Sequence, residues 1–184
     1  AHTLSINHKM LSYDLSKGEF PIITLRPIAV KSAIGELLWI YQRESNDLEI
    51  LANDYGVTWW DDWMIPEEES LKHNWPKKSI GACYGETVRR HNLMKNLLEG
   101  IKKDPDGRRH IINMWQEDDF LLPHGLKPCA YQTIWNVRHG KDGIDYLDMC
   151  LFQRSSDFAT AGTINQVQYA IFLMLIARHL GYTP

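Results

Sequence analysis

Residues 131–152 constrain the fold more than any other stretch. Tyr131, Thr133, Trp135 and Val137 alternate with Gln132, Ile134, Asn136 and Arg138, and a period of two reads as a half-buried strand. His139-Gly140-Lys141-Asp142-Gly143 supplies the chemistry of a tight reversal. Ile144 to Phe152 then reads as the returning strand. A hairpin of this kind pairs antiparallel, which argues against a doubly wound parallel sheet.

Elsewhere the period lengthens to that of helices. Val30, Ala33, Ile34, Leu37, Leu38 and Tyr41 share one stripe, and Leu93, Met94, Leu97, Leu98 and Ile101 share another that stops at Asp104-Pro105-Asp106-Gly107. Asp47 to Leu51 predicts a further short helix. Tyr169 to Ala177 is apolar all round and predicts a buried core helix, with Thr163 as its cap and Gly181 and Pro184 at its end. Pro21 to Leu25 reads as a short strand, and Ala1 to Asn7 as part of another. Met64 to Lys78, polar and punctuated by prolines, predicts a mobile loop. The class expected is α+β: a mixed or antiparallel sheet packed with helices, one of them buried, in a single domain of 184 residues.

Charge and cysteine use narrow the function. The net charge is −3, so no overall basic field draws the chain to nucleic acid or to an anionic membrane. Three cysteines without paired spacing fit a reducing cytosol, hence a soluble cytoplasmic protein. Eight histidines form no metal-binding pattern, so no metal is expected. The longest unbroken apolar run, Tyr169 to Ala177, is short for a bilayer, and no secretory leader is visible.

Five stretches carry candidate chemistry. Cys129 follows Pro128 at the mouth of the alternating strand. It reads either as a small buried hydrophobe or, given a neighbouring cation, as a nucleophile. Gln153-Arg154-Ser155-Ser156-Asp157 ends the returning strand with one cation, two hydroxyls and a carboxylate, enough to bind a dianion and leave the carboxylate for another partner. Arg108-Arg109 is either solvated surface or a phosphate fork. Trp59, Trp60 and Trp63 form a core corner or a wall for a planar ligand. Gly81 and Gly85 permit close backbone approach around Cys83 and Tyr84. Glu36 lies toward the margin of its helical stripe and reads as a solvated carboxylate. Cys83 and Cys150 read as packing residues.

In this order the motifs resemble the thymidylate synthase family. Glu36-Leu37-Leu38-Trp39 is similar to its E-L-L-W helix, Val57-Thr58-x-Trp60-Asp61-x-Trp63 to its tryptophan segment, and Tyr84-Gly85 to its Y-G loop. Arg108-Arg109 matches its paired arginines, Pro128-Cys129 its nucleophile, and Gln153-Arg154-Ser155-x-Asp157 with Asn165 its longest motif. The resemblance covers nearly the whole chain. It implies that Cys129 adds to carbon 6 of deoxyuridylate (dUMP), that carbon 5 then attacks the one-carbon unit of 5,10-methylenetetrahydrofolate, and that thymidylate and dihydrofolate leave. Arg154 would contact thiolate and phosphate, with Gln153 and Ser155 at the nucleotide. Arg108 and Arg109 would reach the phosphate of a partner subunit, which implies a homodimer. Asn165 would read the uracil edge, Glu36 with Tyr84 would handle protons at the ring, and Asp157 with Trp60 would hold the folate.

The chain departs from the family pattern in four places. Ala130 stands where histidine commonly follows the nucleophile, and Thr160-Ala161-Gly162-Thr163-Ile164-Asn165 replaces the usual run before the asparagine. An arginine loop before the first strand and a C-terminal portion are expected to be missing, so residues 1–184 are read as a catalytic domain incomplete at both ends. Two other functions fit these residues. A deoxyuridylate hydroxymethylase would use the same intermediate, and a truncated non-catalytic protein would only bind nucleotide. Asn165 favours uracil over cytosine in either enzyme, since an amide both donates and accepts.

Overall fold

The predicted hairpin is the centre of the sheet. In the computed structural model, which describes residues 4–184, β2 (Ala130–His139) pairs antiparallel with β3 (Asp145–Gln153) on one side and with the short β1 (Ile111–Asn113) on the other. Thr133, Trp135 and Val137 are buried with Ile112 and Leu147, while Asn136, Arg138, Cys150 and Phe152 face outward. The alternation is thus realised as one wet and one dry face. Cys150, expected to pack, is exposed because it falls on the wet face. The three-stranded sheet is antiparallel throughout; beyond the last helix, an isolated parallel bridge joins Thr183 to Tyr146 of β3.

The described residues also form six helices: α1 (Val30–Tyr41), α2 (Leu48–Tyr55), α3 (Glu67–Lys72), α4 (Gly85–Arg90), α5 (Leu93–Lys103) and α6 (Thr163–Leu180). Asp47 caps α2 by accepting from Glu49 and Ile50 N–H groups, and Gly56 ends it with φ of 67°. On α5, Leu93, Met94, Leu97 and Ile101 face the core while Lys95, Glu99 and Lys102 face water. One large cluster joins Leu37, Trp39 and Ile40 of α1 to Trp135 of β2 and to Phe172 and Ile176 of α6.

Several expected elements differ. Pro21 to Leu25 forms no strand, and neither do residues 4–7; the rest of that expected opening strand lies outside the described residues. An apolar run without a pairing edge has no ladder to join. Met64 to Lys78 holds α3, where Pro66 stands at the cap and Glu67, Glu68 and Glu69 occupy the first turn, suited to the positive helix end. Thr163 is the first residue of α6 rather than its cap. A π-helical turn, Phe158–Gly162, precedes it, and Asp157 caps that turn instead. The residues 158–180 have the length and hydropathy of a membrane-crossing helix, and α6 is buried on one side only. Tyr169, Phe172, Leu173, Ile176 and Ala177 lie in the core, while Met174 and Leu175 are each 43% exposed.

Candidate active site

The site begins at an irregularity in β2. Ala130 pairs with Gln153 and Gln132 with Phe152, so Tyr131 has no partner of its own on β3. A bulge of this kind bends the strand and re-aims its neighbours. Here it sets Cys129 across from Arg154, whose backbone N–H donates to the Cys129 carbonyl at 2.9 Å. The Arg154 side chain then folds back over the loop. Its Nε donates to Pro128 O and its Nη2 to Lys127 O, both at 2.8 Å, and Nη2 lies 3.7 Å from Cys129 Sγ. The guanidinium therefore fixes the loop and puts a permanent positive charge beside the sulfur. From the other side, Cys129 N–H donates to Tyr84 Oη at 3.1 Å.

Tyr84 reaches that position through an unusual backbone. Its φ is 47° and its ψ −110°, a conformation costly for a residue with a Cβ. Gly85 follows because the chain passes tightly against the Ser45 backbone: a Cβ there would lie 2.1 Å from Ser45 O. The expectation of close approach around Cys83 and Tyr84 is thus met. Burial pushes the Cys83 thiol up to about 12, and it donates to Ile80 O, the behaviour of a packing residue.

A cavity of about 370 Å³ opens in front of Cys129. Its walls are aromatic on one side: Trp60 is buried and packs edge-on against Tyr84 and Trp63, while Trp59 and Trp63 stand half open at the mouth. Trp60 belongs to the core and to the cavity wall at once. Opposite them, Gln153, Ser155, Asp157 and Asn165 border the cavity from the end of β3 and the start of α6. Asp157 Oδ1 already accepts from the Ala159 and Thr160 N–H groups, which orients the carboxylate.

Glu36 also borders this cavity, which corrects its reading as a solvated carboxylate. It is 9% exposed, and its two oxygens each accept an indole N–H, from Trp59 at 2.8 Å and from Trp60 at 3.0 Å. The stripe on α1 misled because the helix is also buried at Gly35, Glu36 and Trp39. Burial raises the Glu36 carboxyl from 4.5 to about 6, and the hydrogen bonds from Trp60 and Trp59 only moderate this. A carboxyl raised in the folded state favours folding fully below 4.5 and loses that contribution as pH rises through about 6. Glu36→Gln abolishes the titration. Between pH 4.5 and 7 the variant should therefore gain about 2 kcal/mol on the parent. Urea denaturation of both proteins across that range measures the gap, and a gap that does not move with pH contradicts the assignment.

Eight of the expected residues thus meet at one cavity, with Arg154 behind Cys129. Arg108 and Arg109 do not join them; both are exposed on the segment entering β1. Residue-by-residue reading missed Arg26, Tyr41, Gln168 and Tyr169, which also border the cavity. Tyr41 and Tyr169 were hidden within apolar patterns, and Gln168, 5% exposed, is a buried polar residue directly before the apolar run that could have drawn notice. Among the described residues no three His, Cys, Asp or Glu side chains gather where a metal ion could bind.

Fold and site together define an α+β protein with a cysteine, backed by an arginine, at the lip of an aromatic-walled pocket. The chain belongs to the thymidylate synthase family, whose family model matches residues 1–184. It is 46% identical over 182 residues to the thymidylate synthase of Lactococcus lactis subsp. cremoris and 45% identical to that of Streptococcus sanguinis. Both matches cover 99% of the chain and 62% of the relative, so the chain spans less than two thirds of the length of these relatives. Among solved structures, thermostable thymidylate synthase A from Bacillus subtilis superposes with a TM-score of 0.73 at 34% identity, covering 88% of this chain and 56% of that one.

Proposed function

We propose that this chain carries the catalytic unit of a cytoplasmic thymidylate synthase, which methylates dUMP reductively with 5,10-methylenetetrahydrofolate as cosubstrate. The observation that carries the reading is Cys129 Sγ at 3.7 Å from Arg154 Nη2, facing a cavity that also holds Glu36 and Asn165. In this reading the Cys129 thiolate adds to carbon 6 of the pyrimidine, and the electron pair displaced to carbon 5 attacks the one-carbon unit. Loss of the carbon-5 proton expels tetrahydrofolate, which gives a hydride to the resulting methylene and leaves as dihydrofolate, while the carbon 6–sulfur bond breaks to return the thiolate. Glu36, near 6, is poised to pass protons at neutral pH. Burial raises Tyr84 well above its ordinary value, so it stays protonated while holding the Cys129 amide.

Arg154, Gln153 and Ser155 bind the nucleotide, and Asp157 with Trp60 takes the folate ring against the aromatic wall. Arg108 and Arg109, exposed and away from this cavity, reach the phosphate in the partner subunit of a symmetric homodimer. Incubation with dUMP and methylenetetrahydrofolate tests the activity. Dihydrofolate formation supports the synthase, whereas hydroxymethyl product with tetrahydrofolate identifies a hydroxymethylase. No product from a folded sample that binds dUMP leaves a nucleotide-binding protein.

Asn165 gives a sharper test of the base. Its amide both donates and accepts, as a uracil edge requires, while an aspartate only accepts. Asn165→Asp should raise the ratio of deoxycytidylate to dUMP turnover by at least about tenfold, because a mismatched polar edge leaves buried groups unpaired. An unchanged ratio of kcat/KM values removes Asn165 as the base reader.

A further inference from the structure

A buried polar pair bordering the cavity is left unused by the roles above. Tyr41, at the end of α1, and Tyr169, in α6, bring their hydroxyls within 2.8 Å of one another. Both residues border the cavity, yet they are only 5% and 6% exposed. Tyr41 stacks on Phe172 at 4.2 Å and meets Tyr169 edge-on, which holds both rings in place.

Two hydroxyls carry two hydrogens, and the bond between them uses one. The second has no protein acceptor among the described residues. The oxygens of Glu36 accept from the Trp59 and Trp60 indoles and make no hydrogen bond to either tyrosine hydroxyl. A buried O–H without an acceptor is costly, and a ligand or water oxygen in the cavity removes that cost. Ala130, the residue after Cys129, brings only a methyl to the same cavity. Burial above all, with the Glu36 charge acting in addition, raises both hydroxyls; the hydrogen bond between them raises Tyr41 and lowers Tyr169, and both stay protonated at neutral pH.

We propose that the Tyr41–Tyr169 pair is a shared hydrogen-bond donor to the bound nucleotide, its spare hydrogen going to a pyrimidine oxygen directly or through one water. This deepens the nucleotide reading above and rests on it. Sharing has a signature. If either hydroxyl is removed, the remaining one no longer needs its hydrogen for its partner and turns it to the ligand. Only loss of both removes the donor.

The test is dUMP affinity, by calorimetry, for the parent, Tyr41→Phe, Tyr169→Phe and the double variant. The single variants should bind within about threefold of the parent, and the double variant about tenfold more weakly. The double-variant ratio should be flat from pH 6 to 9, since a donor that never ionises gives no pH profile. Parent-like binding by the double variant overturns the inference, and so does a single variant that loses as much as the double. A parent that binds no dUMP overturns the nucleotide reading and this inference with it. Should the double variant fail to fold, hydroxyl hydrogen exchange in the parent decides: dUMP should slow the faster of the two hydroxyls, and unchanged exchange overturns the proposal.

Discussion

Cys129→Ser should lower turnover by on the order of 10⁴-fold or more, the scale on which enzymes respond to loss of a covalent nucleophile. Affinity for dUMP should stay within a few-fold. The argument lies in what the substitution keeps. Arg154 holds the loop through Lys127 O and Pro128 O, and Tyr84 holds the backbone N–H of residue 129. None of these bonds needs the sulfur, so the cavity keeps its shape. What is lost is the sulfur, replaced by a hydroxyl that is a far weaker nucleophile at neutral pH. Release of tritium from carbon 5 of labelled dUMP requires the addition step, because in the proposed mechanism that hydrogen leaves only after carbon 6 has been attacked. Release at the parent rate would end the nucleophile assignment, and loss of dUMP binding would recast Cys129 as structural.

The second large effect concerns a residue that touches no ligand. Gly85→Ala should destabilise the fold by about 3 kcal/mol or more, in the range of overpacking against an unyielding neighbour. The new methyl would meet Ser45 O at 2.1 Å and Ser45 N at 2.6 Å. That backbone has little room to give. Ser45 N–H donates to Trp39 O, while Asn46 O accepts from Ile80 N–H and Leu48 N–H donates to Lys78 O. The strain would fall on Tyr84, already at positive φ, and would pull its hydroxyl from the Cys129 amide. Chemical denaturation gives the stability and turnover at low temperature gives the coupling. A loss below about 1 kcal/mol would mean that the Ser45 segment moves aside.

The hairpin was legible because alternation reports directly on a surface with one wet face. α5 was legible for the same reason on a helical period. Glu36 shows where such reading stops. A single stripe describes a helix that packs on one side, but α1 lies against α2, α4 and α6, so its carboxylate is buried off the stripe. The Pro21–Leu25 run was apolar enough for a strand, yet strand formation is decided by a neighbour elsewhere in the chain. Motif resemblance brought Glu36, Tyr84 and Asn165 into one candidate site before any geometry was available. It was silent on Tyr41 and Tyr169, whose hydroxyls matter only because two helices bring them together.

The bonds that frame the cysteine have a consequence for how the protein folds. Arg154 reaches back 26 and 27 positions to Pro128 and Lys127, Cys129 reaches 45 to Tyr84, and Glu36 meets its indoles across 23 and 24. Each is a loop that must close before its contact is rewarded. The hairpin alone brings Arg154 to Cys129, but Glu36, Tyr84 and Asn165 come from three other segments. The full cavity exists only while all of these segments are docked, so the population of competent sites should follow global folding rather than local order.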